Sequence, residues 1–228
     1  MASKNTAGRM KVLFAFLLLF GPALLLVFFA TRGCEHKFKN LDDYGAAANY
    51  SFIDARGKAF TSKEFEGDIV VVTTLQETCP DSCAISLWHI DQSIYQHIRK
   101  NKRKKMKQVK LISFATDGKG QPVKDLTIFK QALEDQVEGY DPDLWLIATG
   151  DVREIYDFKH NGASLLQQGN QYYGGQGFQE LLLLLDKKNH LRMVLSGKTE
   201  GMVRRMKEHI ALLQKQYDKA ASEKKKAK

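Results

Sequence analysis

The chain has 228 residues and a formal net charge of +9, and its length allows one ordinary domain with extensions and a sizeable core. Three cysteines are too few for a small scaffold that is held together by disulfides. The positive charge is concentrated in two runs, eight Lys or Arg residues in 99–110 and six Lys residues in 215–228, which we interpret as a solvated helix end and a frayed tail. Because run 99–110 has no aromatic residue to stack on bases, we expect no nucleic-acid partner; an anionic membrane surface or an acidic partner is the alternative.

The N-terminal region carries one long apolar segment. Residues 1–11 are polar and basic, and residues 12–30 form an uncharged run close to the length that spans a bilayer. No small-x-small cleavage site follows it, and Arg32 comes at once, so we predict a cytoplasmic segment 1–11, a retained transmembrane anchor 12–30 and a connector 31–47. Arg32 also disfavours lipidation of Cys34, which we expect to be an unengaged thiol.

We predict that a globular domain spans residues 48–214 and is followed by a basic tail, 215–228. The alternation of short apolar runs and turn residues predicts seven strands, at 50–54, 59–60, 69–75, 109–116, 144–148, 181–185 and 190–195. Amphipathic patterns predict helices at 82–101, 123–136, 151–158 and 200–217, with a long Gly-rich loop over 160–177. Thr61 and Glu64 have the spacing of a capping box. Alternating strands and helices predict an α/β domain with a partly parallel sheet and a closing antiparallel hairpin.

The segment Cys79-Pro80-Asp81-Ser82-Cys83 follows a buried strand and opens a helix. Asp81 or Ser82 can cap that helix, and a thiol near a helix N-terminus ionises more easily than a free one. The two cysteines are about one helical turn apart, so their sulfurs can form a disulfide or bind one Cu(I) or Zn ion together. A cysteine pair after the first core strand, in this order of elements, is typical of the thioredoxin-like layout.

The chain resembles the Sco/SenC family over residues 40–214. The resemblance rests on an N-terminal anchor, the Cys-Pro-x-x-Cys spacing and several flanking segments: Leu41-Asp42-Asp43-Tyr44-Gly45, Phe52-Ile53-Asp54, Gly57-Lys58, Phe60, residues 67–72, Trp145, Thr149-Gly150-Asp151 and Leu184-Leu185-Asp186. It implies a membrane-anchored thioredoxin-like protein that faces the periplasm and serves cytochrome c oxidase assembly, by delivering copper or by reducing the cysteines of its binuclear copper site.

The resemblance also implies a copper site made by both cysteines and one histidine. The family histidine precedes the position of Asp186 by about eight residues, where this chain has Phe178 or Gln179. The residue after the second cysteine is usually proline in the family and is Ala84 here. Of the six histidines (His36, His89, His97, His160, His190 and His209), we would test only His160 as a substitute ligand, because it opens the long loop.

Three functions are therefore open. The first is a thiol–disulfide oxidoreductase in which Cys79 attacks and Cys83 resolves, a chemistry that needs no histidine. The second is a chaperone that carries Cu(I) on Cys79 and Cys83, without an identified third ligand. The third is a non-catalytic interaction module with the thioredoxin-like fold. We expect a single-pass inner-membrane protein, monomeric, whose partners are client thiols such as those of the copper-site subunit of cytochrome c oxidase.

Overall fold

The computed structural model describes residues 4–33, 40–77, 87–101, 108–160, 162–167 and 177–226. The chain divides into two compact units, Met1–Lys39 and Asn40–Lys228. The second unit contains the α/β domain that the sequence predicts, and its thioredoxin-like layout is confirmed.

The described part of the first unit is one helix, α1, which spans Lys4–Gly33 and contains Pro22. Its apolar side chains are solvent-exposed: Phe14, Phe16, Leu17, Leu18, Leu19, Phe20, Leu24, Leu25, Leu26, Val27, Phe28 and Phe29. Across the described part of the chain, no helix reaches the combined length and apolar character that crossing a membrane demands. The transmembrane anchor at 12–30 therefore stays a prediction.

The second unit is organised around a seven-stranded mixed sheet. Its strands are β1 Ser51–Asp54, β2 Ala59–Thr61, β3 Ile69–Gln76, β4 Val109–Thr116, β5 Trp145–Thr149, β8 Leu181–Leu185 and β9 Leu191–Ser196. Their order across the sheet is β2-β1-β5-β4-β3-β8-β9. The three central strands, β3, β4 and β5, run parallel, and the other pairs are antiparallel. A separate two-stranded ladder pairs β6, Lys159–His160, with β7, Ala163–Ser164.

Helices cover the sheet because the central strands are apolar on both faces. On one face pack α2 (residues 87–100), α3 (Thr127–Gln136) and α5 (Glu200–Lys226), through side chains such as Ile94, Leu133 and Met206. On the other face pack the short helix α4 (Arg153–Tyr156) and the 3₁₀ turns Ser62–Phe65, Leu165–Gln167 and Gly177–Glu180. The predicted capping pair is present, with the Thr61 N–H donating to the Glu64 carboxylate at 3.0 Å.

Residues 40–48, most of them in the predicted connector, lie along the β8–β9 hairpin, and we call them the strap. Backbone hydrogen bonds join Tyr44 and Gly45 to Leu191, and Leu41 is buried. The Arg192 guanidinium donates to the carbonyl oxygens of Leu41 and Asp42 at 2.7 and 2.8 Å. The polar backbone groups of the strap thus find hydrogen-bond partners far away in sequence.

The last helix is longer than the predicted 200–217, since α5 continues to Lys226. The added turns are rich in Lys, Ala, Gln and Glu, which are strong helix formers. The Tyr217 ring contacts Lys187 at 5.3 Å, which ties the first of these turns to the hairpin. Further along, Lys219 and Glu223 make an exposed i, i+4 pair.

Candidate functional site

The candidate site lies at the carboxyl end of β3, where the chain enters and leaves the cysteine motif. Cys79, Cys83 and the predicted caps Asp81 and Ser82 lie outside the described residues, as does Cys34. The described chain stops at Glu77, whose N–H donates to the Thr116 carbonyl at 2.8 Å, and resumes at Leu87 in α2. Because β3 pairs in parallel with β4 up to Gln76, and Leu87 packs against the core, the described residues on both sides of the motif are held in place.

A small cavity, which we call the motif cavity, adjoins both ends of that segment. Its volume is about 50 Å³, and Leu75 and Gln76 line it on one side while Leu87 and Ile90 line it on the other. Glu180 and Lys198 are also among its lining residues. Its lining thus mixes apolar side chains with hydrogen-bonding and charged groups, beside the described residues that flank the cysteine motif.

Gln179 is buried at the edge of this cavity and is fixed by two threonines. The Thr74 hydroxyl donates to the Gln179 backbone carbonyl at 2.6 Å, and the Thr116 hydroxyl donates to the Gln179 side-chain oxygen. Phe178, by contrast, points into the core and packs on Tyr156, with ring centroids 5.2 Å apart. Of the two positions where the family resemblance expects a histidine, only Gln179 therefore lines the cavity.

Gly120 is required by this arrangement. Its φ is +76°, in the left-handed region that favours glycine, and a Cβ there would come within 2.7 Å of the Phe178 ring. The β4–α3 loop thus packs directly against the turn that carries Gln179.

Glu180 and Lys198 form a largely buried ion pair on the cavity wall. Their Oε1 and Nζ atoms are 2.6 Å apart, with the Glu180 side chain only 7% exposed and that of Lys198 33% exposed. The backbones are also joined, because the Gly197 N–H donates to the Glu180 carbonyl at 2.6 Å. Sequence reasoning missed this pair; the β8–β9 register, with Leu181 opposite Ser196, brings Glu180 next to Gly197, the residue before Lys198.

Helix α2, which follows the motif, is irregular in its first turns. A π-helical turn spans Asp91–Tyr95, a feature that is frequent at functional sites. Before it, Trp88 is 58% exposed and its ring meets His89 edge-to-face at 5.2 Å. The Nδ1 atom of His89 is buried, and no described group hydrogen-bonds to it.

The described histidines are spread over the domain. The His190 Nδ1 atom lies 3.0 Å from both carboxylate oxygens of Asp43 in the strap, and the His209 ring contacts the Arg205 carbonyl on α5. His97 is exposed on α2, where partial desolvation and Lys207 lower its pKa. Only the backbone of His160 is described, in β6, so its suitability as a substitute ligand stays untested. Within the described ranges, no three His, Cys, Asp or Glu side chains converge as a metal site would require.

The parallel core strands, the motif between β3 and α2 and the antiparallel hairpin define a thioredoxin-like protein. The sequence profile of the SCO1/SenC family matches residues 39–213, and the chain belongs to that family. A comparison with curated protein sequences finds no significant match.

Solved structures that are similar to this chain include three Sco proteins. BsSco, described as a member of the Sco family of cytochrome c oxidase assembly proteins with a disulfide switch, is 16% identical, with a TM-score of 0.52 over 78% of this chain and 98% of its own. A SCO1/SenC family lipoprotein from Bacillus anthracis is 18% identical, with a TM-score of 0.50 over 74% of this chain and 96% of its own. Yeast Sco1 with copper bound is 18% identical, with a TM-score of 0.48 over 73% of this chain and 93% of its own.

Proposed function

We propose that this chain is a thiol–disulfide oxidoreductase of the SCO1/SenC type that acts on cysteines of a client protein during cytochrome c oxidase assembly. Cys79 is the attacking thiol and Cys83 the resolving one, because thiol–disulfide exchange needs one thiolate to attack and a second nearby to release the product. The family match over residues 39–213, which includes the motif, is the main support.

The setting of Gln179 favours this redox role over Cu(II) binding. Cu(II) prefers nitrogen ligands such as imidazole, and an amide is a poor replacement. The side-chain oxygen of Gln179 already accepts a hydrogen bond from Thr116, so it is engaged within the fold. Two thiolates without an imidazole suit disulfide exchange and Cu(I), and neither of these needs a third ligand.

A second candidate function is delivery of Cu(I), with copper as cargo on Cys79 and Cys83. It is favoured by the family, in which yeast Sco1 is described with copper bound. Soft thiolates bind Cu(I) well, so a reduced dithiol pair is a sufficient site. The two functions differ in what leaves the protein: electrons in the first, the metal ion in the second.

Turnover of a client-like disulfide tests the first function. The reduced full-length chain in detergent is mixed with a peptide that has one internal disulfide, and free peptide thiols are counted. Cys79→Ser and Cys83→Ser should each abolish turnover, while the matched variant Cys34→Ser should retain it. Activity that survives in both motif variants would refute the proposal.

Copper titration separates the two candidates. We expect one equivalent of Cu(I) on the reduced chain, weak binding of Cu(II), and disulfide turnover that survives His160→Ala. Tight Cu(II) binding that His160→Ala removes would rank copper delivery above disulfide exchange, with the long loop supplying a displaced ligand.

We further propose that residues 12–30 anchor the domain to a bacterial inner membrane, with the domain on the periplasmic side. The support is the uncharged 19-residue run and the exposed Leu and Phe side chains of α1. A non-cytosolic compartment also suits a dithiol that must form a disulfide.

A further inference from the structure

Strand β9 forms one edge of the seven-stranded sheet, and the strap covers only the first part of that edge. Leu191 exchanges backbone hydrogen bonds with Tyr44 and Gly45 of the strap, at 3.0 and 2.9 Å. The strap then turns away from the strand, because its next carbonyl groups bond to the side chain of Arg192 rather than to the backbone of β9. Within the described ranges, no strand pairs with the rest of this outer edge.

The backbone groups of Val194 and Ser196 point away from β8. The Gly197 N–H donates to the Glu180 carbonyl, and in an antiparallel ladder the residues that bond to the neighbouring strand alternate with those that face away from it. The register pairs Leu183 with Val194, which puts Val194 and Ser196 at the outward positions. No backbone group in the described part of the chain bonds to their outward N–H and carbonyl groups.

The side chains along this part of the edge are apolar and only partly covered. Met193 and Leu195 pack against the core on one face of the sheet and Val194 on the other, and all three are half-buried, whereas all of β8 is buried. An edge with unpaired backbone groups and apolar side chains is a template for another strand. Gly197 and Lys198, which follow β9, line the motif cavity, so the edge leads toward that cavity.

We propose that the outer edge of β9, residues 193–196, binds an extended segment of the client protein as an additional antiparallel strand. In naming a client, the inference rests on the proposed disulfide exchange. Main-chain hydrogen bonds to Val194 and Ser196 supply affinity, and the alternating side chains of the segment cover the apolar side chains on both faces of the edge. The strap supports this direction of pairing, because it makes an antiparallel bridge to the same edge between Ala46 and His190.

A second copy of this chain fits the edge less well. Antiparallel pairing of two β9 strands with Val194 opposite Ser196 would place Arg192 of each copy opposite Lys198 of the other, and like charges directly opposite destabilise a strand pair. The strap of each copy would adjoin that position, because it already bonds to the neighbouring Leu191. A client segment need carry neither a strap nor these cations, so it can follow the whole edge.

Binding of a cysteine-free peptide tests the docking without any redox step. The probe is a capped octapeptide in which Val and Thr alternate, titrated onto the full-length chain in detergent. Hydrogen exchange, followed residue by residue, should be fast at the Val194 and Ser196 amides of the free protein and at least about tenfold slower at saturation. The Leu195 amide, which the register turns toward β8, should exchange slowly with and without the peptide.

Two N-methylated versions of the peptide are matched controls. Successive N–H groups of an extended peptide point to opposite sides, so methylation of every second amide removes the donors along one edge only. The version that is methylated on the edge facing β9 should lose binding, and the version that is methylated on the other edge should retain it.

A variant pair tests the protein side of the same hydrogen bonds. Val194→Pro removes the outward N–H, and an edge strand tolerates proline where that N–H faces away from the sheet. It should weaken peptide binding roughly tenfold, the upper end of the effect of one lost hydrogen bond. Val194→Thr keeps the N–H and the branched side chain, and it should bind the peptide as the wild type does.

Equal affinities of Val194→Pro and Val194→Thr, or equal binding of both methylated peptides, would overturn the proposal. Slow exchange at Val194 and Ser196 in the free protein would also overturn it, since the chain would then cover its own edge; protection that appears only as the protein concentration rises would assign the edge to a second copy. If Val194→Pro does not fold, the methylated peptides and the exchange rates decide. Peptide binding without disulfide turnover would refute only the proposed function, and turnover without peptide binding would refute only the docking.

Discussion

Replacing Arg192 with methionine should release the strap from the β8–β9 hairpin and destabilise the domain by about 3 kcal/mol. The guanidinium makes three hydrogen bonds: to the carbonyls of Leu41 and Asp42, and to the Asp186 carboxylate at 2.9 Å. Both partners of the ion pair are shielded, with Arg192 13% and Asp186 3% exposed. Breaking a buried pair by removing one partner costs roughly 3–5 kcal/mol.

We expect the lower end of that range because Asp186 retains other donors. Its Oδ1 atom accepts from the backbone N–H groups of Lys188 and His190 at 2.8 and 3.0 Å. Urea unfolding of the full-length chain, followed by tryptophan fluorescence, to which buried Trp145 and exposed Trp88 both contribute, measures the change in the free energy of unfolding. Lys188→Met removes an exposed lysine from the same hairpin turn and should cost less than about 0.5 kcal/mol.

The same ion pair gives an acid-sensitive contribution to stability. Burial tends to raise the pKa of Asp186, but hydrogen bonds from the His190 and Lys188 backbone and from Arg192 outweigh it and lower that pKa below its usual value near 3.8. A carboxyl with a lowered folded-state pKa stabilises the fold above about pH 4 and loses this contribution as the pH falls further. Arg192→Met should therefore flatten the loss of stability below pH 4. If the free energies of unfolding of Arg192→Met and Lys188→Met at pH 7 differ by less than about 1 kcal/mol, the guanidinium does not hold the strap.

Three other predictions address the site and the anchor. Gln179→His places an imidazole beside the motif cavity and should raise the affinity for Cu(II) by at least about tenfold in a copper titration. The control variant His160→Ala should leave the Cu(II) affinity unchanged. Equal Cu(II) affinities in the wild type and Gln179→His would contradict our account of the cavity. Peptide mapping after mild oxidation should find Cys79 paired with Cys83 and Cys34 alkylatable, and a dominant Cys34 disulfide would be the opposite result. Mass spectrometry of protein from carbonate-washed membranes should find residues 12–30 still attached, and a mature N-terminus near Cys34 would exclude the retained anchor.

The central architecture could be predicted from local patterns. The β-branched run of β3 and the five leucines of β8 are short, apolar and bounded by turn residues, and both strands occur where predicted. Strand β4 matches its predicted bounds at both ends. The cysteine motif could be recognised from the sequence because the two cysteines and the strand and helix patterns that flank them are adjacent in the chain.

Helix ends were less predictable. The sequence indicated a helix over 123–136, but α3 begins at Thr127. The residues before it pair with the end of β4 instead: the Val123 N–H donates to the Ala115 carbonyl, and Pro122 forms a β-bridge with Thr116. The helix predicted at 151–158 is a single turn, Arg153–Tyr156, because the chain turns from there into the β6–β7 ladder. Tertiary contacts decide such ends, and propensity is too weak to compete with them.

Only the tertiary structure revealed what surrounds the motif. Gln179 meets Thr74 and Thr116 across sequence separations of 105 and 63 residues, and the strap meets Arg192 across about 150. No local pattern encodes such pairs, because each depends on which strands become neighbours in the sheet. The sequence alone determined the strands, the dithiol motif and the family resemblance, through periodicity and spacing. The folded chain decided that Gln179 rather than Phe178 lines the cavity and that Glu180 meets Lys198 there, because burial and hydrogen bonding are settled only when distant segments pack together.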